Sequence, residues 1–324
     1  MPSMEYRNLG RSGLVVSEVS VGSWLTLGSS VDRAATREIV QRAFDLGVNL
    51  FDTADVYANG AGEEALGHSL QEIPRRCVVI ATKCFFPMSE RPNDRGLSRK
   101  HITESIEGSL RRLGTDYVDL YQCHRYDPTT PIEETVRAFD DLVRQGKILY
   151  WGVSEWRADQ IADACRCADA LRAVRPISNQ PQYNLLRREI EHEVIPASRR
   201  EGLSQIVWSP LAQGALTGKY SGGRRPAGTR ATDSARNVFM KSFLDPETLA
   251  DTDRLAPIAG ELGISLAQLA LAWCLAEPNV ASVITGVTQV SQLDANVKAS
   301  GLRLPPEILA KIDAIFPKQA YDRR

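Results

Sequence analysis

The sequence has no long apolar run, no Gly-x-Gly-x-x-Gly turn, no clustered histidines and no excess charge of one sign. Each absence removes a class of protein. The longest apolar-rich stretch, Leu266–Ala276, is interrupted by Gln268; it is far too short to cross a bilayer and reads as a buried helix. Without a Gly-x-Gly-x-x-Gly turn, an open dinucleotide-binding sheet is disfavoured. The 4 histidines, His68, His101, His124 and His192, lack metal-ligand spacing, so no metal is expected. A formal net charge of -1 gives no electrostatic reason to expect nucleic acid or a membrane surface as partner.

Cysteine is sparse as well. The 6 cysteines are scattered, which argues for reduced thiols and a cytoplasmic protein. Cys165 and Cys167 form C-x-C, and on a helix they point in different directions. Residues 1–13 are polar and mixed in charge, unlike the apolar core of a signal peptide.

What is present is an ordinary globular balance: 324 residues, 43% hydrophobic and 24% charged, enough for a sizeable core. Residues 4–16 read as two short strands around a Gly-rich turn, a hairpin outside the main core. Apolar runs at 19–22, 48–51, 77–82, 117–123, 148–153, 176–180, 205–208 and 280–285 read as buried strands. Between them, 36–46, 63–70, 98–113, 132–145, 158–173, 189–201, 265–275 and 290–299 read as helices, with 305–315 as an extra one. Gly47, Gly114 and Gly146 stop their helices, and Ser98 caps one. The Gly/Arg/Ser-rich stretch 213–236 reads as a long loop of functional or mobile character. About eight strand–helix units with no linker predict an α/β fold, a closed (β/α)8 TIM barrel. It carries an N-terminal β-hairpin and an extra C-terminal helix, in a single domain spanning 1–324.

Asp52, Tyr57, Lys83 and His124 fall at or just beyond successive strand ends, and in a barrel those ends converge on one face. Their chemistries complement each other. A phenol ordinarily holds its proton up to about pH 10. A nearby Lys ammonium is expected to lower that value, and an adjacent Asp to keep the ammonium charged and in place. A His can orient a carbonyl or relay a proton. The set suits protonation of an oxygen that gains negative charge, as in reduction of an aldehyde or ketone. None of the four supplies electrons, so a hydride-carrying cofactor is expected. Trp24, Tyr57, Phe85 and Phe86 are expected as an apolar wall, and loops 85–95, 126–130 and 213–236 as the substrate-facing ones. Cys84 and Cys123 neighbour the quartet but face the other side of their strands, so they read as packing. The stretch Gly214 to Lys219 is one residue short of a phosphate loop, and Gly152-Val-Ser154-Glu-Trp lacks the second Gly of a nucleophile elbow.

The ordered motifs "FDTADVY", "IATK", "YQCHR", "GVSEW", "NQPQYN", "WSPLAQGALTGKY" and "ITGVTQVSQLDAN" together resemble the aldo-keto reductases over nearly the whole chain. Within that superfamily the chain is similar to bacterial reductases related to the voltage-gated potassium channel β subunits, through "GLSRKHI" and "TPIEETVRAFDDL". The resemblance implies NADPH/NADP+ bound in extended form at the C-terminal face of the barrel. It makes Tyr57 the general acid, tuned by Lys83 and Asp52, and makes His124 the residue that orients the carbonyl. Ser154 and Gln180 match residues that hold the nicotinamide carboxamide, and Gly22, Ser23 and Trp24 the segment beside that ring. Trp208, Ser209, Pro210, Leu211 and Gln213 match the support of ring and pyrophosphate. Lys219 and Arg230 match phosphate-binding cations, and Gly286, Thr288, Gln292 and Asn296 the adenosine end. His124 matches the catalytic enzymes, where channel subunits carry Asn. A cofactor-loaded redox-sensing subunit is the alternative, and relatives form tetramers or octamers. Two positions depart from the pattern. Glu155 stands where relatives carry Asn or Arg, and a carboxylate there cannot donate to the carboxamide. Ala295 replaces an acid near the adenine.

Overall fold

The computed structural model describes residues 4–233, 237 and 240–318. The chain opens with an antiparallel hairpin, β1 (Tyr6–Asn8) and β2 (Val15–Ser17). Eight further strands close into a parallel barrel. They are β3 (Val19–Gly22), β4 (Leu50–Asp52), β5 (Val79–Cys84), β6 (Val118–Cys123), β7 (Ile148–Val153), β8 (Ser178–Asn179), β9 (Ser204–Val207) and β10 (Val280–Thr285). Each pairs with the next, and β10 closes the ring between β9 and β3. The expected (β/α)8 barrel is therefore present, with the hairpin and the last helix outside it.

The helices form the outer layer. They are α1 (Arg33–Asp45), α2 (Ala61–Leu70), α3 (Arg99–Leu113), α4 (Ile132–Arg144), α5 (Ala158–Leu171), α6 (Val194–Glu201), α7 (Pro246–Asp253), α8 (Ala256–Glu261), α9 (Leu266–Ala276), α10 (Val290–Asn296) and α11 (Pro306–Ile315). Local chemistry sets their ends. Ser98 Oγ accepts the His101 amide at the start of α3, and Gly114, left-handed at φ 65°, terminates it. Asp32 caps α1 in the same way.

The period of two along each strand sorts side chains between two cores. Leu50, Val79, Ala81, Leu120, Ile206, Ala281 and Ile284 point into the barrel and meet Leu9 of the hairpin. Phe51, Ile80, Cys84, Tyr121 and Cys123 point outward and pack under the helices. Phe139 of α4 stacks on Trp151 of β7 with ring centroids 5.0 Å apart. Burying one such ring contributes roughly 1.5–3 kcal/mol. On β5 the alternation sends Lys83 inward and its neighbour Cys84 outward, so Cys84 and Cys123 are packing groups as their spacing predicts. The hairpin seals the N-terminal mouth: Arg7 donates to the carbonyls of Val280 and Leu275 and pairs with the buried carboxylate of Glu18.

Three segments differ from the sequence reading. Residues 189–201 are not one helix: a short turn, Glu189–Glu191, precedes α6. Pro196 is the reason, because a proline is tolerated in a first helical turn and not in an interior. The expected helix 290–299 ends at Asn296 and tightens into a 3-10 turn, Val297–Ala299. Residues 246–261, assigned no element from sequence, form α7 and α8; Asp245 caps α7 and Pro246 occupies its first turn. The described part of the 213–236 loop contains 3-10 turns, and 234–236 lie outside the described residues.

Helix α2 crosses the end of α3 at Gly67, where a Cβ would sit 2.5 Å from the Leu113 carbonyl oxygen. Gly67→Ala is therefore expected to cost about 1–3 kcal/mol by overpacking. Gly260 of α8 is exposed with nothing within 4 Å of a Cβ, and Gly260→Ala is expected to gain about 0.5–1 kcal/mol. Urea unfolding of the two variants checks this; equal midpoints contradict the packing described.

Candidate active site

The C-terminal ends of the barrel strands surround a cavity of about 950 Å³. Its floor is a buried ion pair. Asp52 ends β4 and Lys83 lies on the adjacent β5, both facing inward. Lys83 Nζ donates to Asp52 Oδ1 at 2.6 Å and to the Thr53 carbonyl at 2.7 Å. Gln180 Nε2 donates to the other carboxylate oxygen at 2.8 Å. The Lys83 side chain is 0% exposed. Burial pulls its pKa down, and Asp52 opposes that by favouring the charged form. Leaving either charge alone here costs about 3–5 kcal/mol, so the two hold each other in place.

Tyr57 follows in the loop after β4, and the next three residues, Ala58, Asn59 and Gly60, are all left-handed. The Lys83 ammonium lies 5.1 Å from the centroid of the Tyr57 ring. His124, just past β6, meets the same ring edge-on at 5.6 Å and Phe86 at 4.9 Å. Its Nδ1 is buried without a partner. Burial, then the charges of Lys83 and Arg125, hold the imidazole well below its usual pKa and therefore neutral.

One electrostatic expectation fails. The Tyr57 phenol is not brought below its ordinary value overall. Burial raises the phenol well above its ordinary value and the Asp52 carboxylate adds to the rise, while the cation that pulls it down is Arg125. The reason is that the phenol is desolvated and the Asp52 carboxylate that pairs with Lys83 opposes its ionisation. Tyr57 thus holds its proton firmly.

The other residues singled out from sequence also come together. Gly22, Ser23 and Trp24 after β3, Ser154 after β7 and Gln180 after β8 line the cavity. So do Trp208 through Leu211, Gln213, Lys219 and Arg230 after β9, and Gly286, Thr288, Gln292 and Asn296 beyond β10. Ser154 Oγ donates to the Gln180 carbonyl at 2.8 Å. Gln213 Nε2 donates to Ser209 Oγ at 3.0 Å, and Arg230 donates to Gln213 Oε1. Gly214 admits the Lys219 chain: a Cβ there would lie 2.7 Å from Nζ. Lys83 does not line the cavity and supports it from beneath.

Glu155 has a defined place. Its Oε1 accepts from Trp208 Nε1 at 2.7 Å and from the Gln182 amide at 2.6 Å, fixing the indole that forms part of the wall. Trp208 in turn meets Trp24 edge-on at 6.1 Å. Ala295 lines the cavity beside Asn296. Two expectations on the apolar wall need correcting. Phe85 faces the helical layer and only Phe86 reaches the cavity. Tyr126 packs against Trp156, 4.9 Å away, so loop 126–130 does not line it. Arg125 does line it and was missed, because strand alternation points it away from His124's side. β6 ends at Cys123, so the alternation no longer applies.

A protonated phenol and a neutral imidazole beside a buried ion pair stand at the mouth of a closed parallel barrel, an arrangement that fits a barrel oxidoreductase. The chain belongs to the aldo/keto reductase family, whose model matches residues 18–316. Among relatives, a probable voltage-gated potassium channel subunit beta of Oryza sativa subsp. japonica is 49% identical, with 99% of this chain and 100% of the relative covered. One of the same description from Arabidopsis thaliana is 48% identical, with 97% of each covered. A putative voltage-gated potassium channel subunit beta of Schizosaccharomyces pombe is 43% identical, covering 97% of this chain and 94% of the relative. Among the described residues no single helix is long and apolar enough to cross a membrane.

Behind Tyr57, Asp55 is buried against Ser105, whose hydroxyl donates to Oδ2 at 2.9 Å, while the Val56 amide donates to Oδ1 at 2.6 Å. Burial, then the nearby Glu63 carboxylate, push the Asp55 carboxyl up to about 7. Folding therefore favours the protonated form, and stability is lost as pH rises from the unfolded value through about 7. Asn at this position can accept from the Val56 amide through Oδ1 and donate to Ser105 Oγ through Nδ2, without the charge. Between about pH 6 and 8 the melting temperature of the wild type is expected to fall relative to that of Asp55→Asn, by a few degrees. Parallel melting curves across that range contradict the assignment.

Proposed function

We propose that the chain, one domain spanning 1–324, is an NADPH-dependent carbonyl reductase that converts an aldehyde or ketone to the alcohol. The observation that carries this reading is the fully buried Lys83, bridged to Asp52 and through it to Gln180, directly beneath Tyr57 and His124.

The cavity suits an extended dinucleotide. The loop after β9, which bears Lys219 and Arg230, stands across the barrel from β5 in the strand order. Cations at one end and proton chemistry at the other match a ligand with phosphates at one end and a reactive ring at the other. Ser154 and Gln180 would hold the carboxamide; Gln180 Nε2 is engaged by Asp52, which leaves its Oε1 as acceptor. Gly22, Ser23, Trp24 and Trp208 would flank the ring, and Ser209, Pro210, Leu211 and Gln213 the pyrophosphate. Gly286, Thr288, Gln292 and Asn296 would take the adenosine end. Bound NADPH supplies the hydride for the carbonyl carbon.

The chain's own residues then handle the proton. Neutral His124 can donate a hydrogen bond to the carbonyl oxygen and fix its direction. Tyr57, kept protonated by burial, gives its proton to that oxygen as negative charge develops there. The phenolate left behind faces the Lys83 ammonium and the Arg125 guanidinium, so charge forms where cations already stand. Asp52 keeps Lys83 charged throughout.

The relatives' names support a second reading, a cofactor-bearing subunit that assembles with a potassium channel. Steady NADPH oxidation with simple aldehydes separates the two, since a sensing subunit turns over poorly. For the first reading, Tyr57→Phe is expected to lower turnover about 10²–10⁴-fold while NADPH affinity, followed by fluorescence, changes little. Undiminished turnover in that variant removes Tyr57 as the acid.

A further inference from the structure

Among the described residues, the buried and half-buried arginines are nearly all paired. Arg7 meets Glu18, Arg75 meets Asp119, Arg112 meets Glu63, and Arg188 meets Glu191 and Asp313. Arg125 is an exception. It is half-buried and lines the cavity next to His124, yet among the described residues no carboxylate lies within ion-pair distance of it. Its Nη1 donates to the His124 carbonyl at 2.5 Å, and its guanidinium sits 5.5 Å from the Phe86 ring centroid. Those two contacts fix the plane of the fork and occupy one of its five N–H donors.

The nearest acid along the chain is otherwise engaged. Asp127 Oδ1 accepts from the amide and hydroxyl of Thr129, and Oδ2 accepts from the Leu97 amide and the Thr130 hydroxyl. Partial burial of an unpaired cation carries a desolvation cost. The charge is also felt at the reacting groups, where it lowers the pKa of both Tyr57 and His124. It stands apart from Lys219 and Arg230, which the loop after β9 brings in from the far side of the barrel.

Resting on the reductase reading above, we propose that Arg125 is the substrate-anchoring residue of the site, and that the preferred substrates are carbonyl compounds bearing a carboxylate close to the reacting carbonyl. A planar guanidinium with free parallel donors matches a carboxylate in bidentate fashion. Trp24, Val56 and Phe86 supply an apolar surround for the carbon skeleton between carboxylate and carbonyl. The carboxylate completes the missing ion pair, and the carbonyl is delivered to Tyr57 and His124.

The test compares kcat/KM for 4-carboxybenzaldehyde and its neutral methyl ester, with NADPH, in wild type, Arg125→Gln and Arg125→Lys. The wild type is expected to favour the carboxylate by roughly tenfold or more. Arg125→Gln should bring that ratio to about one, chiefly through KM of the charged compound, and Arg125→Lys should retain part of it. A wild-type ratio at or below one overturns the proposal. So does an equal loss on both compounds in Arg125→Gln, which would make Arg125 only a tuner of Tyr57. Calorimetric titration of the NADPH-loaded protein with benzoate gives a readout independent of turnover. Binding to wild type that is lost in Arg125→Gln supports the anion site, and no difference between them rejects it. Should neither aldehyde be reduced while benzoate still binds through Arg125, the failure falls on the reductase reading and not on the anion site.

Discussion

The contact on which the site depends is the ion pair between Lys83 and Asp52. Two opposite charges are placed in the interior of a barrel, where solvation is lost and only mutual attraction and hydrogen bonds offset the cost. The groups around the pair are hydrogen-bonded in turn: Lys83 Nζ also donates to the Thr53 carbonyl, Gln180 Nε2 donates to Asp52 Oδ2, and Ser154 Oγ donates to the Gln180 carbonyl. The pair links β4, β5 and the β8 end across the lumen, and so fixes the floor on which Tyr57 and His124 stand. The consequence for chemistry is a shape already formed. The phenol stays protonated, the imidazole stays neutral, and the cations are in place before any charge develops.

The rest of the barrel serves that arrangement by layering. Aliphatic side chains fill the lower lumen, with Leu9 of the hairpin closing it from below. Charged groups begin only above them, at Asp52 and Lys83, while the lower hydroxyls of Ser20 and Ser282 are hydrogen-bonded to each other. The lower lumen is filled by side chains, and the cavity lies where strand ends and loops meet. Glu155 shows how the wall is held. A left-handed residue at φ 58° places its carboxylate under Trp208 and fixes the indole from behind.

Much of this was legible in the residue order. The eight strands, the hairpin and most helix ends follow from period-two and period-3.6 patterning with caps such as Ser98 and Gly114. The quartet was legible because strand tips in a barrel converge, whatever their distance along the chain. Four things were not. Pro196 divides a segment whose amphipathic pattern runs straight through it. Helices α7 and α8 are short and follow a loop, and their main signal is the Asp245-Pro246 start. The direction of the Tyr57 shift is set by burial and then by the Asp52 carboxylate, and Arg125 enters the cavity only because β6 stops two residues earlier. Those are properties of three-dimensional placement, and a one-dimensional pattern does not encode them.

The account stands or falls on the Lys83 ammonium as the charge that prepares the site. Its most direct test is the single-turnover rate of NADPH oxidation, with an aldehyde in excess, in Lys83→Met against wild type. The account predicts a chemical step slowed by about 10²-fold or more, with NADPH still bound at an affinity close to wild type. A chemical step at the wild-type rate in that variant would contradict it.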